Sequence, residues 1–478
     1  MRLIRFEPLE FTATAVVARW SEEPVSGFYQ RPFFTLDFGT ALDPRTLPLK
    51  LWWTIVLLCL HSHWNFLRPC RVVFPIHLPE GELEFWQRIL QAERFSLEAY
   101  RGTRDHARNI ELEARGPDPG PVELPPDTGR SATAFSGGKE SLLQAGILCE
   151  FTTRPLLVNT QAEMPPMVDH SSRIRAQVMR EIVRRRNCEV VEVKSDLRAN
   201  WNNLFSREMG YRQSVNEMSD AYLYVASLLA VSASRGARRL GLGCEFEAQR
   251  CGLTLPDGYA PFFAAMSVPV IHSLSRLLRP WGMELGSLLW PLSQYQIMSL
   301  LWRRYPDIAD LQCSCWSIQD PNVGYCSLCL KCLKIATVLI SLEVDPARLE
   351  IDVTELFLKG ARWGQAELPT GGALTHAAQR ISPRSARRFF PAQNWRQRLG
   401  FQKPPAYLAL LDLIDKSRGK NEEWVGQYRP AYAKHIPPSL RRDADRLYRE
   451  CFPVLDPADY SEDIARADAQ VGYITETL

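Results

Sequence analysis

The stretch "ATAFSGGKESLLQAG", Ala132–Gly146, decides how this chain is read. With Ser131 in front, it opens as a short strand pattern, SATAF, and from Lys139 to Glu150 it has the pattern of a helix. Between the two lie Ser136, Gly137, Gly138, Lys139, Glu140 and Ser141. Paired glycines let a backbone turn tightly and approach a ligand with no Cβ in the way. The helix that follows offers unpaired N–H groups and the positive end of its dipole. Ser136 and Ser141 add hydroxyls, and Lys139 adds a charge. A bare Ser-Gly-Gly is only a turn, but this combination reads as a phosphate cradle. The spacings G-x-x-x-x-G-K-[ST] and G-x-G-x-x-G are both absent, so it is neither a Walker A loop nor a dinucleotide fingerprint.

Downstream of the loop, strand and helix patterns alternate. PLLVN, CEVVEV and RRLGLG read as strands, while Ser171–Arg186 and Ser214–Arg235 read as helices. Such alternation predicts an α/β fold with a Rossmann-like parallel sheet covered on both faces. Ligands bind such sheets at the carboxyl ends of the strands, where the glycine loop falls. The chain divides into three segments: an N-terminal α+β extension with its linker, 1–125; a nucleotide-binding core, 126–345; and a helical C-terminal extension, 346–478. The linker, Arg115–Arg130, is too dense in Pro and Gly to hold a regular element. No repeat or low-complexity segment is present.

Composition excludes several classes. The 478 residues are 46% hydrophobic and 23% charged, an ordinary globular profile. A net charge of +3 does not call for nucleic acid as a partner. The apolar run Leu51–Leu60 is half the length of a bilayer span, about 20 residues, so no membrane association is expected. The first residues, MRLIRFEPLEF, do not form a signal peptide, and a cytoplasmic location is expected. His61 and His63, in an aromatic helical stretch, read as core or surface residues, not ligands. Asp169 before His170 reads as a helix cap. Arg180, Arg184, Arg185 and Arg186 read as a solvated helix face.

Of 12 cysteines, seven are scattered and read as small core residues. The other five crowd into "CSCWSIQDPNVGYCSLCLKCLK", where Cys326, Cys329 and Cys332 follow one another at x2 spacing below Cys313 and Cys315. In a reducing compartment such clusters hold metal. Four thiolates suit a tetrahedral structural zinc. Thiolates also hold iron–sulfur clusters or do redox work.

The run Ser136–Ser141 resembles the PP-loop, S-G-G-x-D-S, of ATP pyrophosphatases, with Glu140 where the family has Asp. The cysteine cluster is similar to the zinc site of one branch, the 7-cyano-7-deazaguanine synthase (QueC) family, where a Cys-aromatic pair precedes C-x2-C-x2-C. By that match Cys315, followed by Trp316, joins Cys326, Cys329 and Cys332 as a zinc ligand, and Cys313 is spare. GARRLGLGCEFEA, Gly236–Ala248, and PLSQYQIMSLL, Pro291–Leu301, resemble further segments of that family. Gln294 stands where QueC has Lys, and Gly258-Tyr259 continues into Ala260-Pro261-Phe262 where QueC has G-Y-P-D-C-R. Long QueC-like chains of this kind resemble proteins of bacterial anti-phage defence loci.

The resemblance implies a fold of the PP-loop/HUP type and an AMP-forming ligase. Such an enzyme uses ATP and Mg2+ to adenylate a 7-carboxy-7-deazaguanine-type carboxylate. It then couples that group to ammonia or to the N-terminal amine of a partner protein. In that scheme Ser136, Gly137, Gly138, Lys139, Glu140 and Ser141 hold the phosphates, and Lys139 and Ser141 serve catalysis. Glu245 and Glu247 meet a guanine-like edge or magnesium, or else form an acidic loop facing solvent. Two other functions remain open: a tRNA-modifying thiolase or ligase of the same superfamily, and a non-catalytic partner-binding subunit.

Overall fold

The structure, a computed structural model, describes residues 1–101, 109–162, 170–202, 205–210, 215–247, 252–255, 258–315, 324–358, 372–389 and 423–476. Its strands are β1 Arg2–Phe6, β2 Glu10–Phe11, β3 Ala15–Glu23, β4 Phe33–Asp37, β5 Cys70–Phe74, β6 Ile110–Ala114, β7 Ser131–Ala134, β8 Leu156–Ala162, β9 Glu189–Ser195, β10 Arg239–Gly241, β11 Gly252–Leu255, β12 Gly258–Pro261 and β13 Glu284–Gly286. The longer helices are α1 Leu49–Leu60, α2 Glu80–Arg101, α3 Lys139–Phe151, α4 His170–Arg185, α5 Val215–Ser234, α6 Val268–Leu278, α7 Gln294–Arg304, α8 Leu330–Ser341, α9 Gly372–Gln379, α10 Pro438–Cys451 and α11 Ser461–Thr475.

One sheet of 11 strands runs β13-β10-β7-β8-β9-β4-β3-β1-β5-β6, with β2 paired to β3. The strands β13, β10, β7, β8 and β9 run parallel to one another. Numbered along the chain from β7, they lie in the order 3-2-1-4-5, that of a doubly wound sheet whose direction of winding reverses between β7 and β10. β8 explains why parallel strands form here. Its first four residues, Leu156–Asn159, are all buried, the pattern of a strand covered on both faces. By contrast β3 alternates buried with half-buried positions from Val16 to Trp20, the period-2 pattern of a strand whose two faces differ.

Each face carries its own core. One gathers α1, α5 and α6 with the N-terminal strands. The other gathers α3, α7, α8 and α10. The N-terminal strands join the parallel sheet directly, because β4 pairs antiparallel with β9 through Leu36–Ser195 and Asp37–Lys194. Asn200 extends that seam. Its side chain accepts from Arg31 N–H (2.7 Å) and donates to the carbonyls of Arg31 (3.0 Å) and Phe33 (2.8 Å). At the far edge, β13 is covered by the C-terminal segment, where Ser439 bonds Glu284 through backbone N–H (3.2 Å) and hydroxyl (2.7 Å). The C-terminal end also reaches the N-terminal segment, with Glu476 paired to Arg88 at 2.6 Å.

His61 and His63 are fully buried. His61 belongs to a polar network in which Glu93 accepts from His61, Asn65 and Tyr222, tying α2 to α5. Of the arginines read as a solvated face, Arg180 and Arg184 are exposed as expected, while Arg185 and Arg186 are half-buried. Arg184 and Arg185 pair with Glu181, and Arg185 and Arg186 reach Asp310 and Asp307. The cap expected at Asp169 lies outside the described residues. Among those residues, no helix is long and apolar enough to cross a membrane.

Candidate functional site

The glycine loop leaves the carboxyl end of β7 and enters α3, as the sequence pattern predicts. Gly137 has φ +77°, a left-handed conformation that a Cβ would strain. Gly138 is the N-cap and supplies no side-chain bond to the helix start. Local hydroxyls partly fill that role. Ser136 Oγ accepts from Gly138 N–H (3.4 Å), and Ser141 Oγ accepts from Ser136 N–H (3.3 Å) while donating to Gly138 O (3.0 Å). On the neighbouring strand, the turn after β10 comes so close that a Cβ on Gly243 would stand 3.1 Å from Glu140 Cβ. The loop and the acidic turn therefore face one another across the crevice where the winding reverses.

That crevice holds charge out of water. Lys139 is only 6% exposed and Glu245 only 9%. Lys139 Nζ pairs with Glu140. Burial pulls the lysine's pKa down, but Glu140, Glu245 and Glu247 together raise it, so it stays charged. Burial likewise opposes the Glu140 carboxylate, yet Lys139 and Lys331 hold it below its ordinary value. Glu245 goes the other way. Burial, reinforced by Glu140, pushes it up to about 7. Burial also raises Glu247, whose two oxygens both accept from Gln294 N–H at 2.9 Å. Glu247 thus anchors the start of α7, while Gln294 Nε2 donates to Glu245 at 2.8 Å.

Sequence reasoning missed several members of this cluster. Lys331 and Lys334 bring two further cations from α8. Burial and the neighbouring Lys139 push Lys331 down to about 8 and also lower Lys334. Their i, i+3 spacing in Cys329-Leu330-Lys331-Cys332-Leu333-Lys334 is the available signal, since it puts both on one helix face. Arg429, fully buried, arrives from the C-terminal extension and stacks 3.9 Å over the Phe246 ring, between the two glutamates. No local pattern marks it.

The cysteines converge as the spacing predicts. Cys315, Cys326, Cys329 and Cys332 bring their sulfurs within 4.8 Å of one another. The sulfur–sulfur distances include 3.9 Å (Cys315–Cys329), 3.8 Å (Cys315–Cys332), 3.7 Å (Cys326–Cys332) and 3.5 Å (Cys329–Cys332). Four sulfurs at about 2.3 Å from a tetrahedral ion would be about 3.8 Å apart, whereas a disulfide needs about 2.05 Å. The cluster could therefore hold a metal such as zinc. Cys326 N–H and Leu328 N–H each point at a cage sulfur at 3.4 Å, stabilising thiolate charge. Cys313 stands outside the cage, with its N–H bonded to Gly137 O at 2.8 Å. Trp316, the aromatic half of the Cys-aromatic pair, lies outside the described residues.

The structure thus brings the glycine loop, Glu245 and Glu247 into one crevice, with the cysteine cage beside it. Comparison with family models, with curated proteins and with solved structures found no match for this chain.

Proposed function

We propose that the chain is an AMP-forming carbon–nitrogen ligase of the PP-loop/HUP type, similar to the QueC family, with ATP in the crevice and zinc in the cysteine cage. The observation that carries the reading is the meeting of a glycine loop and a buried acidic turn at the reversal point of a 3-2-1-4-5 parallel sheet. In this reading the substrate carboxylate, of the 7-carboxy-7-deazaguanine class, attacks the α-phosphorus of ATP. The bond to the β-phosphate breaks, and pyrophosphate leaves with its electron pair. An amine then attacks the activated carbonyl, loses a proton and expels AMP. Adenylation is needed because a free carboxylate has no adequate leaving group.

The loop's part is positioning and charge. Backbone N–H groups at the start of α3, the Ser136 and Ser141 hydroxyls and the Lys139 ammonium meet the negative charge that grows on pyrophosphate. Glu140 and Glu245 offer the hard oxygen donors that magnesium prefers, and the ion would share the phosphates' charge. Gln294 is neutral where QueC has Lys and its amide donates to Glu245 at 2.8 Å, so a substrate meets a different charge there. The acceptor proposed is a partner protein's N-terminal amine, in anti-phage defence. An α-amino group has a pKa near 7.7–8.0, so a useful fraction is unprotonated at neutral pH.

Incubation with ATP, carboxy-deazaguanine and an amine should give AMP and pyrophosphate, and Lys139→Ala should abolish both. ADP and phosphate as the sole products would overturn the reading. One observation favours a second reading, a nucleotide-binding subunit without turnover. Glu140, longer than the family's Asp, closes on Lys139. ATP binding with no AMP formed under any acceptor condition would select it.

A further inference from the structure

The cysteine cage and the glycine loop share one short segment, Cys313–Cys315. Cys313 N–H donates to Gly137 O at 2.8 Å. Ser314 Oγ accepts from Lys139 N–H (3.4 Å), at the first turn of α3, and from Gln312 Nε2 (3.3 Å). The Ser314 hydroxyl also stands 3.6 Å from where a Cβ on Gly138 would lie. The next residue, Cys315, places its sulfur 3.8 Å from Cys332 in the first turn of α8. That turn carries Lys331, partly buried between two cage cysteines and within electrostatic reach of Lys139, Glu140 and Glu245. The Gln312 side-chain oxygen, buried beside Ser314, has no hydrogen-bond partner among the described residues.

We infer that Ser314 and Lys331 are further phosphate-binding residues of this crevice, held in place by the thiolate cage. The inference rests on the nucleotide reading above. Three carboxylates, Glu140, Glu245 and Glu247, surround Lys139, so a polyphosphate would meet net repulsion if Lys139 were its only cation. Lys331, carried by the cage turn of α8 and within electrostatic reach of Lys139, Glu140 and Glu245, adds positive charge. Ser314 occupies the helix N–H that a phosphate oxygen would take. Once displaced from that bond, its hydroxyl is free to donate to the same oxygen. The cage is then a positioning device for the crevice, because Cys315 fixes Ser314 on one side while Cys329 and Cys332 fix Lys331 on the other.

The test is calorimetric titration of the full chain with ATP and with inorganic pyrophosphate, alongside metal content and melting temperature. The variants are Ser314→Ala, Lys331→Met and Lys331→Arg. Lys331→Met should keep its metal and melting temperature while binding both ligands about ten- to a hundredfold more weakly, the worth of a charge-assisted hydrogen bond. Lys331→Arg should recover most of that loss, and Ser314→Ala should lose about tenfold. Wild-type affinity in metal-loaded Lys331→Met and Ser314→Ala would overturn the inference, as would equal weakening by Met and Arg at position 331. A wild-type chain that binds neither ligand would overturn the nucleotide reading itself, and the inference with it.

Discussion

Glu245 shows how much a single buried carboxylate controls. Its ordinary pKa of 4.5 rises to about 7 in the folded chain, chiefly through burial. The folded state therefore holds this proton more tightly than the unfolded state does. The stability linked to that proton is fully present below pH 4.5 and is lost as pH rises through 7. Glu245→Gln removes the penalty for ionising the group. It should raise unfolding free energy at pH 8 by roughly 1–3 kcal/mol and change it little at pH 5. Urea titrations at the two pH values check this, and an equal effect at both would show that Glu245 ionises normally. Cysteines give a sharper contrast. Cys329→Ser should leave the chain without metal and unfolded, since a structural thiolate site supplies about 10–16 kcal/mol, comparable with a domain's whole stability. Cys313→Ser should keep full metal content, because its sulfur is not one of the four that form the cage. Elemental analysis with circular dichroism separates the two.

At the scale of elements, much of the crevice was legible because its signals are local. The strand, glycine and helix patterns around Ser136–Ser141 lie within 20 residues, Ser131–Glu150, and the x2 cysteine spacing lies within seven. The acidic turn at Glu245 follows a readable strand. What escaped depends on contacts between distant segments. The hairpin β11–β12 was not anticipated, although Pro256-Asp257-Gly258 is a turn signal. Arg429 could not be read at all. A lone arginine in an Arg-rich extension gains its meaning only by stacking on Phe246 and Trp424 and donating to the Trp424 carbonyl. Arg429→Ala should lower stability by about 2–4 kcal/mol, since it removes one of the two cations, Lys334 and Arg429, that offset the buried Glu247 carboxylate. It should also loosen the Glu245–Glu247 turn, seen as faster amide exchange there than in β8. Unchanged exchange in the turn would mean that Arg429 serves the C-terminal extension alone.

For the whole molecule, the seam between β4 and β9 matters most. The apolar pattern of CEVVEV made β9 visible, but nothing local says that a segment so far away in the chain as β4 is its neighbour. Only two residue pairs form the ladder itself, so Asp196 and Asn200 carry much of the join. Asp196 accepts from Thr35 N–H at 2.7 Å and pairs with Arg31 at 3.1 Å. Asn200→Ala would strand one backbone donor and two carbonyls in a buried place, at a cost of about 2–4 kcal/mol. Thermal unfolding should show that loss for the N-terminal strands and the parallel strands together, in one transition. Two separated transitions would mean that the sheet is continuous in geometry but not in cooperativity. The seam also sets a timetable for synthesis. Thr35 leaves the ribosome 161 residues before Asp196. At about 5–20 residues per second the growing chain spends roughly 8–30 s with the β4 edge bare. During that interval the nascent chain is a ready partner for other strands, and this is when a holdase chaperone would have most to protect.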